Sequence, residues 1–424
     1  MSLRRRAALL AGAILVLLLL FAIAARLLLQ PDRLTGFALD ALGNVLGLEI
    51  TAEGHGEYRL RGTPTLVVRG VSARQPGAAR PLMRAERVLL SLPWSTIRAR
   101  GAELVLDRIE LDAPVLDVVA LQAWLASRPA GDGRLPTLRK GLAVVRGQVD
   151  GGGWRVEQFY LDLPSLRADR RVAANVRGRY VAAPTTVAFD LALAMTRPAN
   201  GAGTAAAGTA ILDRGDWRLP ALLEVSGPVR FDDGVLRVSP LRLGASARYV
   251  AGDTDLPFSV GAYGPLRLRE GTWTLVPAGL ALRGQGLVPD LDAHGTLALG
   301  ERLVLDFDGV LPRWPEAWPA LPPPIGVSRS RLPFSLGYAG DAALGDPLRL
   351  GLRRDGARAD VVFRIAEVAE WAAAAASGTP LPPLSGRASA PRMELAGAVL
   401  EGVEVEMTDD DAGPAAPAAL VETP

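Results

Sequence analysis

The chain has 424 residues, enough for two or three ordinary domains or one long repeating body, and it contains no cysteine. The lack of cysteine excludes a lipoprotein attachment site and disulfide bonds, so stability must come from packing and strand pairing. Lysine and arginine total 47 and aspartate and glutamate total 45; without the three arginines at positions 4–6, 47 − 3 leaves 44 basic residues against 45 acidic ones. This balance gives no basic face, so nucleic-acid binding is not expected.

The N-terminal segment has the pattern of a membrane anchor. Three arginines precede an apolar run from Ala7 to Ala25 that contains no charge, and Arg26 follows it. About 20 apolar residues in a helix cross the hydrocarbon of a bilayer, and the arginines mark the cytoplasmic side. The alternative is a cleaved signal peptide with Ala22–Ala24 as its site, but the apolar run exceeds the usual ~7–15 residues. Both interpretations export the remaining chain to the periplasm.

A short amphipathic helix is predicted next, over residues 31–46. Its apolar residues fall on one face at helical spacing, Pro31 lies near its start and Gly47 just after its end. This helix would either lie on the membrane surface or pack on the adjacent sheet.

From Glu57 onward, the pattern predicts strand after strand. Apolar and polar residues alternate with a period of two, as expected for strands with one buried and one wet face. Turn signals such as Asp233-Gly234 and Asp355-Gly356 interrupt these runs about every 8–12 residues, which is typical of antiparallel all-β chains. Only two helical interruptions are predicted in this region, over residues 118–127 and 365–376.

Two irregular stretches and a tail break this rhythm. Residues 129–136 read as a loop between an N-terminal unit and the main body. The proline-rich stretch 311–324, which carries Trp314 and Trp318, cannot be a central strand and is predicted to be an extended connector or lid. The acidic, Ala- and Pro-rich residues 408–424 are predicted to be disordered.

No motif for catalysis, a cofactor or a metal is found. The only histidines are His55 and His294, each predicted to lie in a polar turn, and no cysteine could join them at a zinc site. The chain has no G-x-S-x-G elbow, no P-loop and no G-x-G-x-x-G fingerprint. We therefore expect no enzyme, no catalytic, cofactor-binding or metal-binding residues, and no cofactor.

Two classes of function are left open by these patterns. In the first, the apolar β-face is a surface for lipid acyl chains; in the second, it is ordinary core, and the protein is a scaffold for envelope partners. The candidate lipid-facing residues alternate with polar or small ones on two predicted strands: Val187, Phe189, Leu191, Leu193, Leu303, Leu305 and Phe307.

Three segments near the N-terminus resemble a known family. They are 62–71 (GTPTLVVRGV), 85–94 (AERVLLSLPW) and 104–114 (LVLDRIELDAP), in that order after a single anchor. This arrangement resembles the N-terminal region of the AsmA family of bacterial envelope proteins over about 100 residues, with a looser likeness beyond. A second, weaker resemblance is to general secretion pathway protein N.

The AsmA resemblance implies a fold, a location and a role. The fold would be mainly β, with an N-terminal transmembrane helix, then a long antiparallel, repeating, taco-like β-groove and a few short helices. The expected organisation is a basic tip and anchor (1–30), an N-terminal β-unit (31–128), a β-rich body (137–407) and the tail (408–424). The implied location is the inner membrane, with most of the chain in the periplasm. The implied role is outer-membrane biogenesis, lipid transport and phospholipid or lipopolysaccharide homeostasis, with phospholipid acyl chains held or conducted in the groove. The second resemblance implies a component of an envelope assembly such as a type II secretion system.

Overall fold

The structure is a computed structural model, and it describes residues 43, 47–53, 56–59, 61–98, 105–127, 136–321, 323, 325–374, 382–395 and 398–409. These residues form 24 strands and three helices. Two compact units divide between Asp190 and Leu191, inside the strand β12. The helices are α1 (Trp94–Arg98), α2 (Val118–Ala126) and α3 (Ile365–Ala374).

The N-terminal unit contains the first eleven strands and the start of the twelfth. Their bounds are β1 (Glu49–Ala52), β2 (Glu57–Arg59), β3 (Thr65–Arg74), β4 (Met83–Ser91), β5 (Val105–Leu106), β6 (Arg108–Asp112), β7 (Val115–Asp117), β8 (Thr137–Leu138), β9 (Leu142–Asp150), β10 (Arg155–Leu163), β11 (Val172–Ala182) and β12 (Thr185–Met195).

The strands of this unit pair mainly with their neighbours in sequence. Strand β3 pairs antiparallel with β1 and β2 on one side and with β4 on the other, and β4 then pairs with β6 and β7. Strand β9 pairs antiparallel with β10, and β10 with β11. Three pairs are parallel: β6 with β9, β7 with β9, and β5 with β8. A parallel pair needs a crossover, and between β7 and β9 the crossover includes α2.

The C-terminal unit is built on a meander of twelve strands. They are β13 (Ala202–Asp213), β14 (Arg218–Asp232), β15 (Val235–Ala251), β16 (Thr254–Arg269), β17 (Thr272–Gly284), β18 (Leu291–Leu299), β19 (Leu303–Leu311), β20 (Leu332–Gly340), β21 (Leu348–Arg354), β22 (Ala357–Phe363), β23 (Ser385–Leu395) and β24 (Ala398–Met407).

Each strand from β13 to β23 pairs antiparallel with the next one along the chain. Tight turns make this possible. Asp233 and Gly234 both have positive φ, at 52° and 74°, and Asp355 and Gly356 likewise, at 51° and 84°. Two successive residues with positive φ match the right-handed twist of the flanking strands, and Asp-Gly is favoured there.

The structure confirms a mainly β fold with a long, mostly antiparallel sheet. It also confirms two predicted helices, since 118–127 and 365–376 correspond to α2 and α3. None of the described helices is long and apolar enough to cross a bilayer. The anchor lies outside the described residues, as do nearly all of the predicted helix 31–46, the loop 129–136 and the tail.

His294 does not lie in a turn, as its sequence context had suggested. It lies in the middle of β18, exposed to solvent, opposite Gly279 of β17 and Asp308 of β19. The prediction of a turn was wrong because Gly295, which follows His294, is a residue type common in turns. A Cβ on this glycine would lie 1.9 Å from the carbonyl oxygen of Asp306, so the glycine allows close strand approach instead.

Candidate functional site

The sheet of the C-terminal unit has one apolar face. Cross-strand register places Ala206, Val225, Leu243, Ala262 and Leu280 opposite one another across β13 to β17. A second row, two residues along each strand, contains Gly208, Leu223, Ala245, Val260 and Leu282. Because residues two apart in a strand share a face, these rows form one surface, which we call the apolar face.

The opposite side of the sheet, the polar face, carries charged residues. Arg248 lies 2.7 Å from Asp255, Arg283 lies 2.6 Å from Asp292, and Arg387 lies 3.1 Å from Glu404. These side chains are about half exposed or more, so the ion pairs add little stability. Their main effect is to keep this side of the sheet in water.

The covered half of the apolar face is closed core, which lies mainly on β17 to β22 and includes Leu241 of β15 and Ala390 of β23. The exposed fraction is 5% for Phe307, 7% for Phe334, 4% for Leu352 and 0% for Leu332. They form one cluster with Ile325, which belongs to the connector, residues 312–331. Ile325 is itself 4% exposed, so the connector shields this half from solvent.

Two tryptophans shape the connector. Trp314 and Trp318 pack edge to face with ring centroids 4.9 Å apart. The Trp314 Nε1 donates to the carbonyl oxygen of Pro319 at 3.0 Å, and the Trp318 Nε1 donates to that of Leu287, in the loop after β17, at 2.9 Å. The sequence predicted a connector or lid here, and the structure shows irregular chain between β19 and β20.

A buried arginine fastens the connector to the sheet. Arg354, at the end of β21, is 7% exposed. Its Nη1 donates to the carbonyl oxygens of Ile325 at 2.9 Å and Ser328 at 2.7 Å, while its Nε has no hydrogen-bond partner. Burying a guanidinium is costly unless its donors are satisfied, so these two bonds tie the charge to the connector.

The open half of the apolar face, on β13 to β16, has a different environment. Leu223, Leu243 and Val260 are half-buried and are not part of the covered cluster, whereas Leu241 of β15 belongs to that cluster and Val225 packs against it. The strand β13 (AGTAAAGTAILD) supplies mostly alanine and glycine, so the surface is shallow at this edge.

A groove of about 780 Å³ crosses β13 to β17 near one end of these strands, and most of its lining residues belong to the polar face. A cross-strand row on that face lines it: Thr209, Leu222, Ser246, Ser259 and Arg283. Because this row lies on the side of the sheet that carries Arg248, the groove is separate from the open half of the apolar face.

The seven predicted lipid-facing residues fall in two places. Val187, Phe189, Leu191 and Leu193 are half-buried on β12. A Cβ on Gly178 would lie 3.0 Å from the Phe189 Cζ, so this glycine leaves room for the ring. The other three predicted residues lie on β19, where Leu303 and Leu305 are half-buried, Leu305 packs on the covered core and Phe307 belongs to it.

The alanine-rich surface of β13 to β16 was not among the sequence-predicted sites. Its inward positions alternate with other small residues, so the contrast between the two faces is weak in the sequence. Arg354 was missed as well, because nothing in an arginine's neighbours along the chain predicts burial.

Among the described residues, no three His, Asp or Glu side chains are grouped to hold a metal. Burial raises the pKa of Tyr338 in the covered half, and its Oη donates to the carbonyl oxygen of Asp341 at 2.6 Å. The neutral phenol is therefore a structural hydrogen-bond donor.

Comparisons with protein-family models, with curated proteins and with solved structures find no match to this chain.

Proposed function

We propose that this is an envelope protein anchored in a bacterial inner membrane, whose C-terminal unit holds phospholipid acyl chains on the open half of its apolar face. The periplasmic location follows from the apolar run 7–25 and the arginines before it, as an inference from the sequence. The AsmA resemblance adds a role in outer-membrane biogenesis and lipid homeostasis. No covalent chemistry belongs to this proposal.

The observation that carries the proposal is the difference in cover along one apolar face. Ile325 of the connector packs into a cluster that extends to Leu241 of β15, whereas Leu223, Leu243 and Val260 lie outside this cluster and are half-buried. Each methylene that leaves water for such a surface contributes about 0.8 kcal/mol, so an acyl chain lying across several strands would bind favourably.

Adjacent alanines on β13 give a matched test. Ala206 faces the apolar side and is half-buried, whereas Ala205 faces the polar side and is exposed. Phospholipid that co-purifies with the full-length protein should be measured by mass spectrometry. Ala206→Trp should lower the bound lipid several-fold, because the indole occupies the surface, and Ala205→Trp should leave it unchanged.

A second function is favoured by the closed core around Phe307 and Leu332. A sheet with a packed core can serve as a scaffold for other envelope proteins, as the resemblance to protein N implies. If wild-type protein and both tryptophan variants carry no phospholipid, the lipid proposal fails and the scaffold function is favoured.

A further inference from the structure

The helix α2 of the N-terminal unit is almost entirely apolar. Its sequence is VVALQAWLA, in which Gln122 is the only polar residue and no residue is charged. None of its residues is buried, and the exposed fraction is 59% for Val119 and 55% for Leu125. A helix that is apolar on all sides normally lies inside a core or in a membrane, and this one lies on the surface of its unit.

Hydrogen bonds cap both ends of α2. The Asp117 carboxylate accepts a hydrogen bond from the Ala120 N–H at 2.9 Å, and the Ser127 hydroxyl donates to the Trp124 carbonyl at 2.8 Å. Asp117 also ends β7, and its N–H donates to the carbonyl oxygen of Leu82 at 2.9 Å. The helix therefore projects from a defined point of the sheet.

That point is at the end of the unit where the chain enters it. Glu49, at the start of β1, pairs with Arg74 at the end of β3, and the β3–β4 turn follows. The end of β9 lies there too, because Asp117 pairs with Asp150. The 48 residues that precede β1, including the apolar run 7–25, thus connect to the unit beside α2.

We propose that α2 lies in the interface of the same bilayer that residues 7–25 are proposed to span. The inference rests on the proposed anchor and adds a second membrane contact to it. Tryptophan, here Trp124, is enriched at the boundary between headgroups and acyl chains, and a helix of nine residues is too short to cross the bilayer. Exposed Val119 and Leu125 would enter that boundary, and the caps would keep the helix folded there.

Interfacial α2 would set the orientation of the N-terminal unit. A single transmembrane helix leaves a domain free to rotate and tilt, whereas a second contact at the same end holds that end against the bilayer. Strand β10 runs nine residues away from this end, or roughly 30 Å at ~3.3 Å per residue. The loop 164–171 at its far end is then held away from the membrane.

The absence of native cysteine makes a labelling test direct. Gln122→Cys and Leu125→Cys on α2, and Ala168→Cys in the far loop, all replace exposed residues. Each full-length variant is labelled with an environment-sensitive fluorophore and reconstituted into phosphatidylethanolamine–phosphatidylglycerol vesicles with brominated acyl chains. Quenching should be several-fold stronger at 122 and 125 than at 168.

Equal quenching at all three positions would overturn the α2 inference. So would a label at 125 that is shielded from water but not quenched by brominated lipid, since another segment of this chain would then cover the helix. Carbonate washing of the same vesicles tests the anchor separately. If the protein stays in the pellet but shows no quenching at α2, only the α2 inference is contradicted. If carbonate releases the protein, the proposed anchor is contradicted.

Discussion

The two halves of the apolar face differ in what lies over them, although the same meander builds both. On β17 to β22, large residues such as Phe334 and Leu332 are 7% and 0% exposed and form a cluster with Ile325 of the connector. On β13 to β16, smaller residues such as Ala206 and Ala245 are half-buried. The same period-two pattern thus gives closed core in one half and accessible surface in the other.

This difference shows that alternation alone does not decide between core and binding surface. The deciding element is the proline-rich connector, which cannot join the sheet and so is available to cover it. The strands β13 to β16 are joined by short turns, which supply no comparable cover. An apolar ligand is the cover that we propose for this half.

Leucine-to-alanine pairs should sharpen the comparison with the largest effect. Leu332 is fully buried, so Leu332→Ala should leave a cavity and cost roughly 3 kcal/mol of unfolding free energy. Leu223→Ala, on the open half, should cost only about 1 kcal/mol of unfolding free energy, because less of the Leu223 side chain is removed from water on folding. Urea unfolding followed by circular dichroism measures both, and equal costs would contradict a distinction between the halves.

Release of the connector should have the next largest effect. Arg354→Met removes the two hydrogen bonds to Ile325 and Ser328, and each charge-assisted hydrogen bond contributes ~1.5–3 kcal/mol. Part of this loss is offset because the variant no longer buries a charged guanidinium. We expect a net loss near 1.4 kcal/mol, or roughly a tenfold rise in local opening. Trypsin cleavage at Arg313 and Arg329 should accelerate accordingly.

Exposed Arg353, the neighbour of Arg354 on the same strand, supplies the control. Arg353→Met should leave the rate of connector cleavage unchanged. If Arg354→Met also leaves that rate unchanged, the arginine does not fasten the connector.

A smaller, pH-dependent effect is expected at Tyr338. Tyr338→Phe removes one neutral hydrogen bond and should cost about 1 kcal/mol at pH 7. Burial raises the pKa of the folded-state phenol, so its contribution is full below the unfolded value of about 10 and is lost as the pH rises above it. The stability advantage of wild type over Tyr338→Phe should therefore shrink above pH ~10. An advantage that is constant from pH 7 to pH 11 would contradict this assignment.

Much of the fold could be predicted from the sequence because local signals agree with it. Alternation predicted the strands, Asp233-Gly234 and Asp355-Gly356 predicted turns with positive φ, and the prolines predicted the irregular connector. The parallel pairs of β9 with β6 and β7 could not be predicted, since nothing in the local pattern of β9 distinguishes a parallel partner from an antiparallel one.

The candidate site was less accessible to sequence reasoning. The strand that contains Leu305 and Phe307 has the clear apolar–polar alternation expected of a lipid-facing strand. Phe307 nevertheless lies in a closed cluster with Ile325, a residue of the connector that is distant from it in sequence. Conversely, the alanines of β13 alternate with other small residues, so the apolar–polar alternation of this strand is weak, yet they lie on the open half of the apolar face. Burial by a distant segment has no local signature.

Photo-crosslinking in cells tests the central claim most directly. A photoreactive residue is placed at Leu223 or Val260 on the open half, at Phe307 on the covered half, or at exposed Glu224, which is next to Leu223 but on the polar face. We predict phospholipid capture at Leu223 and Val260, and little at Phe307 or Glu224. Equal capture at Leu223 and Glu224, or capture at neither, would contradict an acyl-chain surface on the open half.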